Sequence, residues 1–230
     1  AGTTYDAMTD VPTNTSATAG NYAVLNPLVK TTAYNTYAPT SGNLNITIVN
    51  QGQTISTASM ISGKWYAEFI FTGGTLSTDT AFGVQTMTDF QSSFASGGAT
   101  GAGYVYFSDG TKASTVTPVS YGSTWTTNDV IGIAFDLDNG KIWFSKNGTW
   151  QASGDPAAGT NAAFTGISSS VGEFGFIIRN GNSATNNKAF TANFGQRPFA
   201  YTAPTGFVAL NTYNLSTPTI IQGNRYMDAT

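Results

Sequence analysis

The chain carries only two glutamates, Glu68 and Glu173, and one pair of aspartates two residues apart, Asp136 and Asp138. Glycoside hydrolysis needs two carboxyl groups flanking the scissile bond, one to donate a proton and one to attack or to activate water. Glu68 sits inside Lys64-Trp65-Tyr66-Ala67-Glu68-Phe69-Ile70-Phe71, on the strand face it shares with Tyr66. Glu173 follows Val171-Gly172 at the start of another apolar run. Nothing in the sequence brings the two together, so both are expected to be structural. Asp136 and Asp138 point the same way on one strand, as a cation site or an acid–base pair requires. The plainer expectation is that Asp138 pairs with Lys141 across a turn while Asp136 caps or anchors a loop. The run Asp136-Leu137-Asp138-Asn139-Gly140 begins like a calcium loop but lacks the third spaced ligand and the distal Glu. Calcium held by loop carbonyls with Asp109 or Asp155 is a minor alternative. No catalytic residue, no metal site and no cofactor are expected.

Aromatic rings are the stronger lead. Tyr121, Trp125 and Trp150 stand among Gly, Ser, Thr and Asn in expected loops, and Trp143 falls on the non-core face of a hairpin. Aromatic faces beside amides and hydroxyls suit sugar stacking or a protein hot spot. Tyr121, Trp125, Trp143 and Trp150 are therefore the candidate binding residues. The competing expectation packs Trp143 and Trp150 under an N-terminal arm or a second sheet. Gly97–Gly103 has no following Lys-Ser/Thr and reads as a loop rather than a phosphate cradle. Asn-x-Ser/Thr sequons at Asn14, Asn45, Asn147 and Asn214 are what chance gives in so Thr- and Asn-rich a chain.

These residues need a frame, and composition says which kind. Of 230 residues only 9% are charged, while 40% are hydrophobic and 13% aromatic. Low charge with an ample apolar fraction excludes charge-driven disorder. With no histidine and no cysteine, disulfides, thiol chemistry and His-based triads are excluded. A net charge of -3 argues against a phosphate grip on nucleic acid. No apolar run approaches the ~18 residues of a membrane-spanning helix, so no membrane insertion is expected. About one residue in six is threonine, a strand former, and Gly and Asn supply turns. The chain reads as all-β with a neutral surface of hydroxyls and amides.

Strand alternation begins near residue 43, where Leu44, Ile46 and Ile48 alternate with Asn45 and Thr47. In the next run Trp65, Ala67, Phe69 and Phe71 share one face. Short strands follow at 82–84, 104–107, 174–178 and 190–194, and no helical period is visible. Asn139-Gly140 predicts a two-residue hairpin. That register sets Asp138 opposite Lys141, Leu137 opposite Ile142, Asp136 opposite Trp143 and Phe135 opposite Phe144. Ile131, Ile133, Phe135, Leu137, Ile142 and Phe144 then form one apolar face. Many short strands with Gly, Asn and Pro turns predict a sandwich or barrel. Residues 1–58 read as an extended arm with the first strands, lying on the sandwich or on a neighbour. Residues 59–212 read as the sandwich, and 213–230 as an irregular connector, with the natural chain expected to continue beyond Thr230.

Three blocks, GKWYAEFIF at 63–71, NDVIGIAFDLDNGKIWFSKNGTW at 128–150 and ANFGQRPF at 192–199, resemble the SPRY, or B30.2-like, domain in order and spacing. The resemblance covers about 60–212 and implies a concanavalin-like antiparallel β-sandwich acting as a binding or assembly module. Residues 4–14, 20–28 and 41–48, with the trailing 197–215, are similar to the flanks of SPRY-type segments in bacteriophage tail and virion proteins. That resemblance implies a non-enzymatic virion surface module, a tail fibre or capsid decoration for host attachment or assembly. Its expected partners are other virion subunits, in a homo-oligomer, and a host-surface glycan or protein receptor; its expected location is the virion surface. The alternatives are a lectin-like carbohydrate-binding module and, less favoured, a polysaccharide-degrading glycosidase on the same fold.

Overall fold

In a computed structural model the described residues are 16–28, 39–49, 52–92, 103–114, 117–181 and 187–215. Among them thirteen strands form two antiparallel sheets. The first has the order β1 (Asn45–Ile48), β12 (Lys188–Asn193), β3 (Lys64–Gly74), β8 (Val130–Asp136), β9 (Lys141–Lys146) and β10 (Thr149–Trp150). In it β13 (Val208–Ala209) runs parallel to the start of β3. The second has the order β2 (Gly52–Ile55), β11 (Phe174–Asn180), β4 (Thr80–Thr86), β5 (Gly103–Phe107), β6 (Thr111–Ala113) and β7 (Val119–Ser120). The expected all-β sandwich is thus present, with one correction. Residues Met87–Ser92 form a short helix, α1, that sequence periodicity did not show.

Period-2 alternation sorts the side chains as predicted. Trp65, Ala67, Phe69 and Phe71 of β3 meet Phe82, Val84, Phe174, Phe176 and Ile178 of the opposite sheet in the main core. Phe69 stacks on Phe82 at 5.4 Å and meets Phe194 edge-on at 5.7 Å. Ile131, Ile133, Phe135, Leu137, Ile142 and Phe144 are all buried in that core. Phe135 and Phe144 are 0% exposed, so the two rings lie between the sheets as expected.

The hairpin register differs from the two-residue prediction. Asp136 pairs with Lys141, Phe135 with Ile142, Ala134 with Trp143 and Ile133 with Phe144. The turn therefore holds four residues, 137–140. Asp136 causes this. Its carboxylate accepts the Asn139 backbone N–H at 3.0 Å and the Asn139 Nδ2 at 2.9 Å, which closes a wider turn. Only Gly140 takes positive φ, at 62°; a primed two-residue turn of the Asn-Gly type needs it at both central positions. A Cβ on Gly140 would also lie 2.3 Å from the Ile167 carbonyl oxygen. Because the shift is by two residues, every side chain keeps its predicted face.

The aspartates play structural parts. Asp136 is buried and pairs with Lys64 at 3.0 Å, and Asp138 accepts the Gly63 N–H at 2.7 Å. The predicted Asp138–Lys141 pair is corrected, since Lys141 Nζ donates to the Gly159 carbonyl. Asp129 pairs with Lys146 at 3.0 Å and accepts from Thr126 N and Asn147 Nδ2. Burial pushes the Asp136 and Asp129 carboxyls up, but hydrogen bonds and the adjacent lysines outweigh it and hold both below their ordinary value. A carboxyl with a depressed folded pKa adds stability above its unfolded pKa, near ~4, and loses it as pH falls through the folded value. The urea midpoint is therefore expected to hold steady from about pH 7 to 5 and to fall below about pH 4. Asp136→Asn should flatten part of that acid slope. An acid limb unchanged by the substitution would contradict this account.

The arm and the tail complete the sandwich. Ala23 N–H donates to the Leu210 carbonyl, Thr57 N–H to the Val24 carbonyl and Thr212 N–H to the Asn21 carbonyl. Leu25 is 0% exposed. Of the described parts of the arm, 16–28 lies on its own sandwich, and 39–49 and 52–58 hold β1 and β2, edge strands of the two sheets. Residues 1–15, 29–38 and 216–230 of the predicted arm and connector lie outside the described residues, as do 97–102 of the glycine-rich loop.

Candidate functional site

The outer face of the seven-stranded sheet divides into a covered half and an open half. Residues outward on β3 are Tyr66, Glu68, Ile70 and Thr72; Ala134 and Trp143 continue that face on β8 and β9. Over the first part folds the segment after β12. Tyr66, Ala134, Trp143 and Phe207 form a second buried cluster, with Trp150, Phe199 and Ala203 packed against it. Phe199 meets Tyr66 edge-on at 4.8 Å and Phe207 meets Trp143 edge-on at 6.2 Å. Trp143 Nε1 donates to the Thr160 carbonyl at 2.7 Å.

Glu68 holds that cover in place. Its Oε2 accepts the Ala200 N–H at 2.8 Å, and its Oε1 accepts the Tyr201 N–H at 2.9 Å and the Tyr66 hydroxyl at 3.0 Å. Gly132 leaves the space for that hydroxyl: a Cβ there would meet Tyr66 Oη at 2.7 Å. Burial, and next the neighbouring Glu68 charge, push the Tyr66 phenol well above its ordinary pKa. The phenol stays protonated and keeps donating. Glu173 is exposed, belongs to the other sheet's approach to β11, and accepts from Ser59 Oγ at 2.6 Å. The two glutamates serve separate structural contacts, as the sequence suggested.

Beyond Glu68 the face is open. Two adjacent depressions, of about 300 Å³ and about 310 Å³, share Thr191 and lie on β1, β12 and β3. Ile70, Asn193, Arg197 and Pro198 line one part, and Asn45, Thr47 and Thr72 the other. Thr47, Thr72 and Arg197 are exposed. The lining offers hydroxyls, amides, one guanidinium and short apolar stretches. Such a groove can hydrogen-bond an extended polar ligand, but it presents no free carboxylate pair. Among the described residues no three His, Cys, Asp or Glu side chains gather as metal ligands. Asp109 caps its own turn through Thr111, and Asp155 accepts the Ala158 N–H.

The four aromatic candidates stand elsewhere; the expected exposure is corrected for Trp125 and Trp143, while Tyr121 and Trp150 are half-buried. Trp125 is 2% exposed and stacks on Phe82 at 4.9 Å, inside the inter-sheet core. Trp143 is 0% exposed. It does face away from the main core, as the alternation predicted, but 199–207 folds back over it. Trp150 is half-buried beside Tyr66, at 6.4 Å. Tyr121 is half-buried against Tyr106 and Phe144, and burial pushes its phenol up to about 12. Lys112 Nζ lies 4.9 Å from the Tyr121 ring and 4.9 Å from Phe164 while donating to the Ala163 carbonyl. The four rings do not converge on one surface. The groove residues Thr47, Thr72, Thr191, Asn193 and Arg197 were missed because threonine and asparagine bear no chemical signature. The usable signal was the place of Thr47, Thr72, Thr191 and Asn193 on the outward side of three alternating strands, β1, β3 and β12.

The spacing of these structural devices matches a known pattern, since a family model described as the SPRY domain matches residues 64–197. The chain belongs to the SPRY-domain family. Its fold is also similar to the crystal structure of the SPRY domain of human HERC1, with a TM-score of 0.57 and 16% identity. That similarity covers 76% of this chain and 99% of the human one, and it speaks to the fold alone. No curated protein matches the chain. SPRY domains are typically protein-interaction modules and are generally non-catalytic.

Proposed function

We propose that this SPRY domain is a non-enzymatic surface module of a bacteriophage virion, in a tail fibre or a capsid decoration, that displays a binding surface for host attachment or assembly. The observation that carries the non-enzymatic reading is the use made of Glu68. Both its oxygens are taken by the Ala200 and Tyr201 amides and the Tyr66 hydroxyl, which leaves the groove without an acid–base pair. The virion placement is supported by the flanking segments that resemble phage SPRY chains and by a charge-poor surface of Thr, Asn and Gly. Partners of such a module are other virion subunits and a host-surface receptor. Multiple copies on one particle add weak contacts through effective concentration.

A second reading, carbohydrate binding, is favoured by the hydroxyl and amide lining of the groove. The test is a glycan array and a panel of polysaccharides incubated with the 230-residue chain. The glycan reading expects array binding that falls at least about tenfold in Thr72→Arg, where a rim substitution leaves stability within roughly 0.5 kcal/mol. The parent proposal expects no new reducing ends from any polysaccharide, and cleavage would overturn it. Immunogold labelling of purified particles tests the placement: regularly repeated surface label is expected, and unlabelled particles would refute it.

A further inference from the structure

At one end of the sandwich a lysine is buried between the two sheets. Lys188 opens β12 in the seven-stranded sheet and is 0% exposed. Its inward side chain donates from Nζ to Asn180 Oδ1 and, at 2.7 Å, to Ser77 Oγ. Asn180 closes β11 in the six-stranded sheet and is also 0% exposed. The contact therefore spans the two sheets. Among the described residues Lys188 forms no ion pair. An ammonium taken out of water without a counter-charge is strongly disfavoured, so such a group tends to shed its proton. Burial does hold the Lys188 pKa down, with the charge of Asp79 acting in the opposite direction. Asp79 runs alongside: its carbonyl accepts the N–H of Gly181, the residue after Asn180, at 3.0 Å. On the neighbouring strand Ile48 is the register partner of Lys188, and it too is fully buried.

The deprotonated form of a desolvated amine is a nucleophile, and the Lys188 amine touches a carboxamide. The amide carbon lies one C=O bond, about 1.2 Å, beyond the contacted oxygen. That places Nζ near the ~3–3.5 Å separation of a near-attack arrangement.

We infer that Lys188 and Asn180 join in an intramolecular isopeptide bond that staples the two sheets. Neutral Nζ adds to Cγ of Asn180, and the tetrahedral adduct collapses with cleavage of the Cγ–Nδ2 bond. One proton passes from Nζ to the departing nitrogen within the adduct, and ammonia leaves. The products are a secondary amide and ammonia. Nothing is oxidised or reduced, and no co-reactant enters. The clamp ties the end of β11 to the start of β12 and resists shear between the sheets. It stands on the Lys188–Asn180 contact and is independent of the groove and of the virion reading.

The test is the intact mass of the full, unaltered chain under denaturing conditions, followed by peptide mapping. A mass short by one ammonia and a branched peptide joining Lys188 to Asn180 are expected. The full sequence mass in folded, aged protein overturns the proposal. Asn180 precedes Gly181, so its own backbone offers another route to the same mass loss, a succinimide. Lys188→Arg separates the two. The proposal expects this variant to show the full mass; a persisting deficit with no branched peptide in the unaltered chain assigns the loss to the succinimide and overturns the bond.

Discussion

Replacing Glu68 with alanine is expected to destabilise the protein by about 3–5 kcal/mol, because three buried donors lose their acceptor. Glu68 is 3% exposed, and three donors depend on it: two backbone amides of the covering segment and the Tyr66 hydroxyl. Each buried donor left without an acceptor costs ~1–3 kcal/mol. Water entering behind a loosened 198–201 offsets part of the sum. Domains of this kind have only about 5–15 kcal/mol in total, so the change reaches the folded fraction at ordinary temperature. Urea unfolding followed by tryptophan fluorescence measures it, because Trp143 and Trp150 lie beneath the same cover. Glu68→Gln keeps the shape and one acceptor oxygen, enough for the Tyr201 N–H and the Tyr66 hydroxyl, while its NH2 faces the Ala200 N–H; it should cost less than alanine but not nothing. A loss below about 1 kcal/mol in the alanine variant, the worth of one ordinary hydrogen bond, would show that Glu68 does not hold the segment.

The second large effect concerns Trp143. Truncation to alanine is expected to cost about 3–5 kcal/mol, the range for a large aromatic removed from a packed site. The ring is fully buried, meets Phe207 edge-on and donates its indole N–H to the Thr160 carbonyl. Its removal leaves the Phe207 ring without that neighbour and the Thr160 carbonyl without its indole donor. The same experiment separates packing from recognition. If Trp143 only packs, binding to any partner falls in proportion to the folded fraction and recovers when the variant is stabilised by cooling. A variant that stays as stable as the parent while losing affinity would instead make Trp143 a contact residue and overturn the packing account.

Glu68 and Trp143 also show where sequence reading reached and where it stopped. Strand faces are a local property. Successive side chains alternate across a strand, so Phe135 and Phe144 could be placed inward, and Tyr66, Glu68 and Trp143 outward, from the pattern alone. The order and spacing of three blocks were enough for the SPRY resemblance, because each block carries its own strand pattern and turn residues. Even the wrong turn length around Asn139-Gly140 did no harm to the faces, since the error was an even number of residues.

Whether an outward face meets water is not local. Trp143 and Tyr66 are covered by Phe199 and Phe207, more than fifty residues further along the chain, and that cover is fixed by Glu68 accepting two amides across a separation of about 130 residues. Trp125 reads as a loop residue and is one, yet its ring enters the core because Phe82 offers a flat partner there. The groove exists only because the covering segment stops short of β1 and β12, leaving Thr47, Thr72 and Thr191 in the open. Lys188 and Asn180 stand eight residues apart on strands of different sheets, and only the closing of the sandwich brings amine and amide together. The sequence by itself determined strand content, facing and family. Tertiary structure decided exposure, the groove and the buried amine–amide contact, because these depend on which distant segment returns to each face.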